Sequence, residues 1–132
     1  MKKLLIVEDD DLSQKVLKMI FIKDYEMDFC ESAEEFYEKF SKENYDLIIM
    51  DISLKGTKNG FELMKEMKAI PLHSCTPILC FTAHAQAKMR ETAFESGTDL
   101  FITKPVSNKV LKEAVLLLLP IEMVKERKAW SA

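Results

Sequence analysis

Short apolar runs alternate along the chain with longer stretches in which apolar residues recur every three or four positions. Five short runs predict strands, at residues 4–7, 27–30, 47–50, 78–81 and 100–103. The run at 4–7 is apolar throughout and bounded by charges, which is typical of a strand buried on both faces. Because a helical stretch follows each run, the pattern predicts an α/β domain with a parallel sheet covered by helices on both faces.

The helical stretches carry recognisable start and stop signals. Ser32 and Glu35 form a capping-box pattern at the start of the second helix, and Gly97 suits a left-handed C-cap at the end of the fourth. In the first helix the apolar residues at helical spacing are Leu12, Val16, Met19 and Ile20. The predicted helices are residues 11–24, a helix from 32 that buries Phe36 and Phe40, and residues 60–70, 85–95 and 106–119.

Composition restricts the class of protein. The chain has 132 residues, which fits a single domain, and 48% of them are hydrophobic. The formal net charge of −3 leaves no basic surplus for binding a nucleic-acid backbone. The longest apolar run, 115–119, is too short to cross a membrane, and no signal peptide is expected before the first strand. Three cysteines without metal-type spacing predict reduced thiols in a cytoplasmic protein.

Polar side chains follow four of the predicted strands at the point where each strand ends. In a doubly wound parallel sheet, ligands bind outside the carboxyl ends of the strands. The residues that this geometry gathers at one edge are Glu8, Asp9, Asp10, Asp51, Thr82 and Lys104. The sequence therefore predicts a functional site there.

Carboxylates brought together from two strands repel one another and need a proton or a cation to stay together. Mg²⁺ suits a site with only one or two carboxylates, because it keeps several waters and binds phosphate oxygens. With Mg²⁺ bound, one carboxylate can act as a nucleophile toward a phosphoryl group. Lys104 and the Thr82 hydroxyl can then offset charge on the phosphoryl oxygens.

At this point the residues match a family: the chain resembles the response-regulator receiver domain of two-component signalling. The resemblance covers roughly residues 3–119, and its segments are 5–10 (LIVEDD), 46–51 (DLIIMD), 59–60 (NG), 81–83 (FTA) and 103–105 (TKP). It implies a flavodoxin-like fold: a single doubly wound five-stranded parallel sheet of order 2-1-3-4-5 with five flanking helices. It also implies Mg²⁺ as cofactor and a phosphoryl donor that is a histidine kinase or a histidine phosphotransfer protein.

The resemblance assigns roles to individual residues. Asp51 is expected to be the phosphoacceptor, and Glu8 and Asp9 to organise Mg²⁺, with Asp9 as the more direct ligand. Ser53 is expected to offer its backbone carbonyl to the metal, which Asp51 also binds. Thr82 and Lys104 are expected to hold the phosphoryl oxygens.

Three further positions have an implied role and a plain structural alternative. Phe101 matches the aromatic switch that turns inward behind Thr82, although it is also an ordinary core position on a strand. The Lys104–Pro105 bond is expected to be cis and to aim the lysine, whereas a trans proline would open the last helix. Ser53 and His84 border the path of the hydrolytic water and are expected to tune the phosphorylated lifetime; otherwise His84 is a surface residue.

The loop after Asp51 departs from the common family pattern. Lys55 stands where a proline is usual, and the stretch to Asn59 is one residue longer, a length that Gly56 can accommodate. Asp10 and Asp11 are expected to cap the first helix rather than bind metal. His73, in a loop between prolines, is expected to be exposed.

Residues 1–119 are thus expected to form the receiver domain and 120–132 a short C-terminal extension, with no output domain. Phosphorylation is expected to switch the face formed by helix 4, strand 5 and helix 5, so that it binds a downstream protein partner. The last helix is apolar on more than one side, which predicts cover either from the tail or from a second copy in a homodimer. No nucleic-acid or membrane partner is expected.

Three other functions fit parts of the sequence less well. A receiver-fold docking or dimerisation module would work without phosphorylation. An aspartate-nucleophile phosphatase of the haloacid-dehalogenase type would need a threonine after its aspartate pair and a cap domain. A flavodoxin-like cofactor module would need glycines and hydroxyls after strand 1, where this chain has acids. We therefore expect a signalling phosphoacceptor that catalyses only its own phosphorylation and dephosphorylation, and not an enzyme.

Overall fold

Five strands form one parallel sheet in this computed structural model, which describes residues 1–84 and 86–119. The strands are β1 (Lys3–Val7), β2 (Glu26–Cys30), β3 (Leu47–Met50), β4 (Ile78–Thr82) and β5 (Leu100–Thr103). Their order is β2-β1-β3-β4-β5, which confirms the predicted topology. The order reverses beside β1, which pairs with both β2 and β3. The carboxyl ends of β1 and β3 are thus adjacent, as a site at this edge requires.

Helices cover both faces of the sheet. They are α1 (Asp11–Phe21), α2 (Ala33–Glu35) continued by a π-helical segment (Phe36–Phe40), α3 (Gly60–Ala69), α4 (Ala87–Ser96) and α5 (Asn108–Leu118). Leu4 and Ile6 of β1 pack in one core with side chains of α1 and α5. Leu5 and Val7 point the other way, into a core shared with α3 and the π-helical segment. Both faces of the strand are buried, which explains its unbroken apolar run.

Several helix boundaries and faces differ from the prediction. The buried side chains of α1 are Leu17 and Phe21, and the exposed ones include Leu12, Val16 and Met19. Apolar residues cover a broad face of this helix, from Met19 round to Phe21, so their spacing alone does not identify which part of that face is buried. The last helix begins later than expected, because Ser107 caps it by accepting a hydrogen bond from the Val110 amide. The expected extension, 120–132, lies outside the described residues, as does Ala85 at the start of the fourth predicted helix.

His73 is fully buried, so the prediction that it is exposed was wrong. Its ring lies against Phe36 and Tyr45, and its Nε2 is 2.7 Å from the carbonyl oxygen of Ser41. That carbonyl directly follows the π-helical segment, where backbone acceptors lack helical partners. The histidine satisfies one of them, which gives this polar side chain a structural reason to be inside.

Within residues 1–84 and 86–119, no helix has the length and apolar character needed to cross a membrane.

Candidate functional site

The strand ends bring three of the predicted residues into direct contact. Glu8 follows β1, Asp51 follows β3 and Lys104 follows β5. The Asp51 amide donates a hydrogen bond to the carbonyl of Val7 at 2.9 Å, so the sheet pairing extends to the phosphoacceptor candidate itself. The backbone of the rigid sheet thereby fixes the relative positions of these side chains.

Lys104 bridges the two carboxylates. Its Nζ lies 2.5 Å from Glu8 Oε1 and 3.2 Å from Asp51 Oδ2. The side chain of Glu8 is 4% exposed and that of Asp51 is 11% exposed, so both carboxylates lie below the rim of the cleft. The Phe81 ring centroid is 5.2 Å from the ammonium and adds a cation–π contact.

Burial and charge act in opposite directions on these groups. Burial and the nearby Asp51 raise the pKa of Glu8, although Lys104 partly offsets both effects. The pKa of Lys104 is raised because hydrogen bonds and attraction from Glu8 and Asp51 outweigh its own desolvation. The lysine therefore stays charged, while the buried carboxyl lacks enough positive charge around it. Such a site favours an added cation.

The donor set fits Mg²⁺ as a hydrated ion. Among the described residues, no three side chains of the His, Cys, Asp or Glu type are arranged as a complete metal cage. Mg²⁺ does not need one, because one or two carboxylates with waters and phosphate oxygens suffice. Glu8 and Asp51 supply hard oxygen donors at one edge, and half-buried Asp9 follows Glu8 directly.

Thr82 ends β4 and is fully buried. Its hydroxyl oxygen accepts a hydrogen bond from the His84 amide at 3.4 Å, and its carbonyl accepts one from the Lys104 amide at 2.8 Å. The backbone of Thr82 thus supports the lysine. Its hydroxyl makes its hydrogen bond to the loop after β4, and the Lys104 ammonium makes its own to Glu8 and Asp51.

Ser53 and His84 meet across the mouth of the site. The serine Oγ lies 2.5 Å from His84 Nε2, and the serine amide donates to Asp51 Oδ1 at 3.2 Å. Both residues are exposed. The sequence predicted a role for each of them but not this direct contact, because they lie 31 positions apart.

Phe101 lies inward on the sheet face opposite to Leu100 and Ile102. It is 7% exposed and packs with Ile52, Cys80 and Ala93. The guanidinium of Arg90 on α4 lies 5.7 Å from its ring centroid. The Lys104–Pro105 peptide bond, next along the chain from β5, is cis.

Neighbouring residues shape the approach to the site. Asp10 caps α1 by accepting a hydrogen bond from the Ser13 amide at 2.8 Å, so its role is structural, as expected. The exposed Lys55 makes an isolated bridge with Ser32. Gly56 has a φ of +93°, which favours glycine in the lengthened loop.

Nothing in the sequence indicates that Glu34 contacts the region of the site. Glu34 of α2 accepts hydrogen bonds from the backbone and side chain of Thr57, in the loop that follows Asp51. The departure of that loop from the family pattern was visible, but its partner on a helix 23 positions away was not.

The chain matches a family model and several known proteins. The model describes a response regulator receiver domain and matches residues 4–116. The regulatory protein VanRB of Enterococcus faecalis is 36% identical over 118 residues, which are 89% of this chain and 52% of that protein. The chain spans about half the length of the curated relatives it matches.

Solved structures share the same fold. A putative response regulator from Chloroflexus aurantiacus has a TM-score of 0.84 and 30% identity, covering 91% of this chain and 98% of that one. The receiver domain of a sensor histidine kinase from Pseudomonas aeruginosa has a TM-score of 0.80 and 23% identity, covering 89% of this chain and 96% of that one. The match to the family model covers most of the sequence, and the chain therefore belongs to the response regulator receiver domain family.

Proposed function

We propose that this chain accepts a phosphoryl group on Asp51 from the phosphohistidine of a histidine kinase or a histidine phosphotransfer protein. The observation that carries the proposal is the Lys104 ammonium held between Glu8 and Asp51 at the carboxyl end of the sheet. Membership of the receiver family supports it. A carboxylate nucleophile beside a fixed cation is the arrangement that phosphoryl transfer to an aspartate requires.

Mg²⁺ is the proposed cofactor. Asp9, Asp51, Glu8 and the backbone carbonyl of Ser53 would hold it, with Asp9 a more direct ligand than Glu8. The Pseudomonas aeruginosa receiver domain is described with a magnesium ion coordinated in its active-site cleft. When bound, the ion neutralises charge on the phosphoryl oxygens.

The residues of the chain carry out the transfer. An Asp51 carboxylate oxygen attacks phosphorus, the new P–O bond forms, and the P–N bond to the donor histidine breaks with its electron pair going to that nitrogen. Lys104, already 3.2 Å from Asp51, then pairs with a phosphoryl oxygen. The Thr82 hydroxyl, which accepts a hydrogen bond from the His84 amide, keeps its own proton to donate to another phosphoryl oxygen.

Hydrolysis of the acyl phosphate limits the lifetime of the signal. Ser53 and His84 border the open side of Asp51, and their 2.5 Å contact narrows the approach for water. We propose that this pair tunes the phosphorylated lifetime. The chain is then a signalling phosphoacceptor that acts catalytically only on its own phosphorylation and dephosphorylation.

The output is a shift between two states of the surface formed by α4, β5 and α5. Phe101 is the proposed switch, since its ring lies inward with Arg90 above it. A protein partner in the cytoplasm would recognise the shifted surface. Exposed apolar residues on α5 also favour a homodimer through this helix: Val110, Leu116 and Leu117.

The metal assignment is tested by replacing Asp9 and measuring phosphorylation by acetyl phosphate over a range of Mg²⁺ concentrations. Asp9→Asn is expected to raise the half-saturating Mg²⁺ concentration at least about tenfold, because a direct ligand is lost. Asp11→Asn is the matched control, since it removes the same charge from an exposed position in the first turn of α1. Equal effects of both changes would contradict the assignment of Asp9.

A further inference from the structure

The loop between β3 and α3 is fastened at both ends and in the middle. At its start, the Asp51 amide donates to Val7 O, and at its end the Gly60 amide donates to Ile52 O at 2.8 Å. Between these points the loop carries Ser53, whose backbone carbonyl is the proposed metal ligand. Contacts that hold the middle of the loop therefore help to fix the position of the Ser53 carbonyl.

Glu34 holds the middle of the loop. Its Oε1 accepts two hydrogen bonds from Thr57, one from the amide at 3.1 Å and one from the hydroxyl at 2.8 Å. The other oxygen lies directly over Gly56, where an added Cβ would stand 2.0 Å from Oε2. Both carboxylate oxygens are thus placed against the apex of the loop.

Glu34 is itself held by the connection between β2 and α2. Ser32 caps this turn, because its side chain accepts a hydrogen bond from the Glu35 amide at 3.1 Å. The backbone of Ser32 also forms an isolated parallel β-bridge with Lys55 of the loop. The carbonyl of Cys30, at the end of β2, accepts a hydrogen bond from the Glu8 amide at 2.8 Å. The connection between β2 and α2 therefore contacts both the loop after Asp51 and the backbone of Glu8.

We propose that Glu34 is a positioning residue for the metal site: it clamps the loop so that Asp51 and the Ser53 carbonyl are presented together to Mg²⁺. This inference rests on the function proposed above. Glu34 touches neither Asp51 nor Ser53 and acts through Thr57 and Gly56.

The loop needs such a clamp because of its own sequence. Gly56, at φ +93°, gives the backbone more freedom than any other residue type would. The Thr57 donors lower the pKa of Glu34, so the carboxylate form that accepts both hydrogen bonds prevails near neutral pH. A second fastening, from Lys58 Nζ to Glu66 Oε2 at 2.5 Å, holds the loop to α3, while Glu34 and the bridge between Ser32 and Lys55 hold its side toward α2.

Three variants distinguish the effect of the hydrogen bonds that Glu34 makes to the loop from the effect of its negative charge. Glu34→Ala removes both acceptors, whereas Glu34→Gln removes the charge and keeps a carbonyl oxygen for Thr57. Glu38→Ala removes a glutamate charge from an exposed position on the neighbouring π-helical segment. Calorimetric titration with Mg²⁺ is expected to show affinity about three- to tenfold weaker in Glu34→Ala, and within about twofold of wild type in the other two.

A second measurement does not depend on the metal. Amide hydrogen exchange of residues 53–57, without Mg²⁺, is expected to be at least about tenfold faster in Glu34→Ala than in Glu34→Gln. Similar Mg²⁺ affinity in Glu34→Ala and wild type would overturn the proposal. So would an equal loss in Glu34→Ala and Glu34→Gln, which would show an effect of charge alone. If wild type binds no Mg²⁺, the role at the metal fails together with the proposed function; faster exchange in Glu34→Ala would then show that the clamp itself exists.

Discussion

At the scale of single residues, burial decides which groups are available for chemistry. Lys104 is kept charged by Glu8 and Asp51, and it holds these two carboxylates together at the cleft. The thiols of Cys30 and Cys80 lie fully inside the protein, whereas Cys75 is exposed. Burial raises the pKa of each inner thiol to about 12, so both stay neutral where the protein functions.

Because these two thiols are buried, we expect the free energy of unfolding to fall as the pH rises into the alkaline range. Each has a folded-state pKa of about 12 against an ordinary value of 9.0, so its stabilising contribution is complete below the ordinary value and is lost as the pH rises toward about 12. By proton linkage, each thiol lowers the free energy of unfolding by about 1 kcal/mol between roughly pH 8 and roughly pH 10. Urea titrations at the two pH values measure this difference.

Two alanine variants check the source of the effect. In Cys80→Ala the difference in unfolding free energy between the two pH values is expected to shrink by about 1 kcal/mol. In Cys75→Ala it is expected to stay as in wild type, because this thiol is exposed. An unchanged difference in Cys80→Ala would show that the buried thiol does not titrate as described.

The sequence predicted some residues of the site far better than others. Asp51 and Lys104 follow apolar strands directly, so parallel pairing alone predicts that they lie at one edge. Glu34 was missed, and His73 was wrongly predicted to be exposed, because the roles of both residues come from tertiary contacts, with Thr57 and with Ser41 respectively. The local sequence does not predict which loop will form hydrogen bonds with a helix, or which backbone carbonyl will accept a hydrogen bond from a histidine.

At the scale of elements, the start of α3 packs against the backbone of Asp51, the proposed phosphoacceptor. Asn59 and Glu62 form a capping box, each side chain accepting a hydrogen bond from the other residue's amide. A Cβ on Gly60 would stand 2.4 Å from the Asp51 carbonyl oxygen and 2.8 Å from the Cα of Ile52. The glycine is required by this close approach of backbone, which explains the Asn59–Gly60 pair in the sequence.

Gly60→Ala is therefore expected to harm both stability and the site. Displacing the backbone of Asp51 and Ile52 is expected to cost about 1–3 kcal/mol of unfolding free energy, and phosphorylation by acetyl phosphate is expected to slow. Chemical denaturation and the rate of phosphorylation at saturating Mg²⁺ measure the two effects.

Gly97→Ala is the matched control for this change. Gly97 ends α4 with a φ of +118°, so alanine there is expected to cost about 1–2 kcal/mol. Its added Cβ would meet Lys68 and not the site. Equal slowing of phosphorylation in both variants would attribute the effect to general destabilisation rather than to displacement of Asp51.

The sequence predicted which elements exist better than how they end. Strands and helices followed from periodicity, and the left-handed cap at Gly97 was confirmed. The π-helical segment after Glu35 was not foreseen, although the burial of Phe36 was. Its residues are spaced as in an ordinary helix.

At the scale of the whole molecule, two of the exposed apolar surfaces in the described part of the chain are candidates for contact with a partner. One is on α1, where Leu12 and Met19 are exposed, and the other is on α5, where Leu117 is 74% exposed. The surface on α5 is part of the face that is proposed to switch. A second copy seated there would bury side chains that are otherwise unfavourable in water.

Substitution of Leu117 is expected to distinguish the two surfaces. After phosphorylation, sedimentation velocity is expected to show a dimer for wild type and a monomer for Leu117→Lys, because the charge would be buried in the interface. Leu12→Lys, which changes a leucine of similar exposure on α1, is expected to leave the dimer intact. A phosphorylated wild-type monomer would contradict the homodimer and favour cover by another partner.

The proposed function depends most on one residue, since Asp51 is proposed both as the nucleophile and as the residue that links the metal, Lys104 and the switch. The most direct measurement is the intact mass of wild type and Asp51→Asn after incubation with acetyl phosphate, with and without Mg²⁺. We predict one Mg²⁺-dependent phosphoryl adduct in wild type and none in Asp51→Asn. A folded wild type without an adduct, or an adduct that persists in Asp51→Asn, would contradict the proposed function.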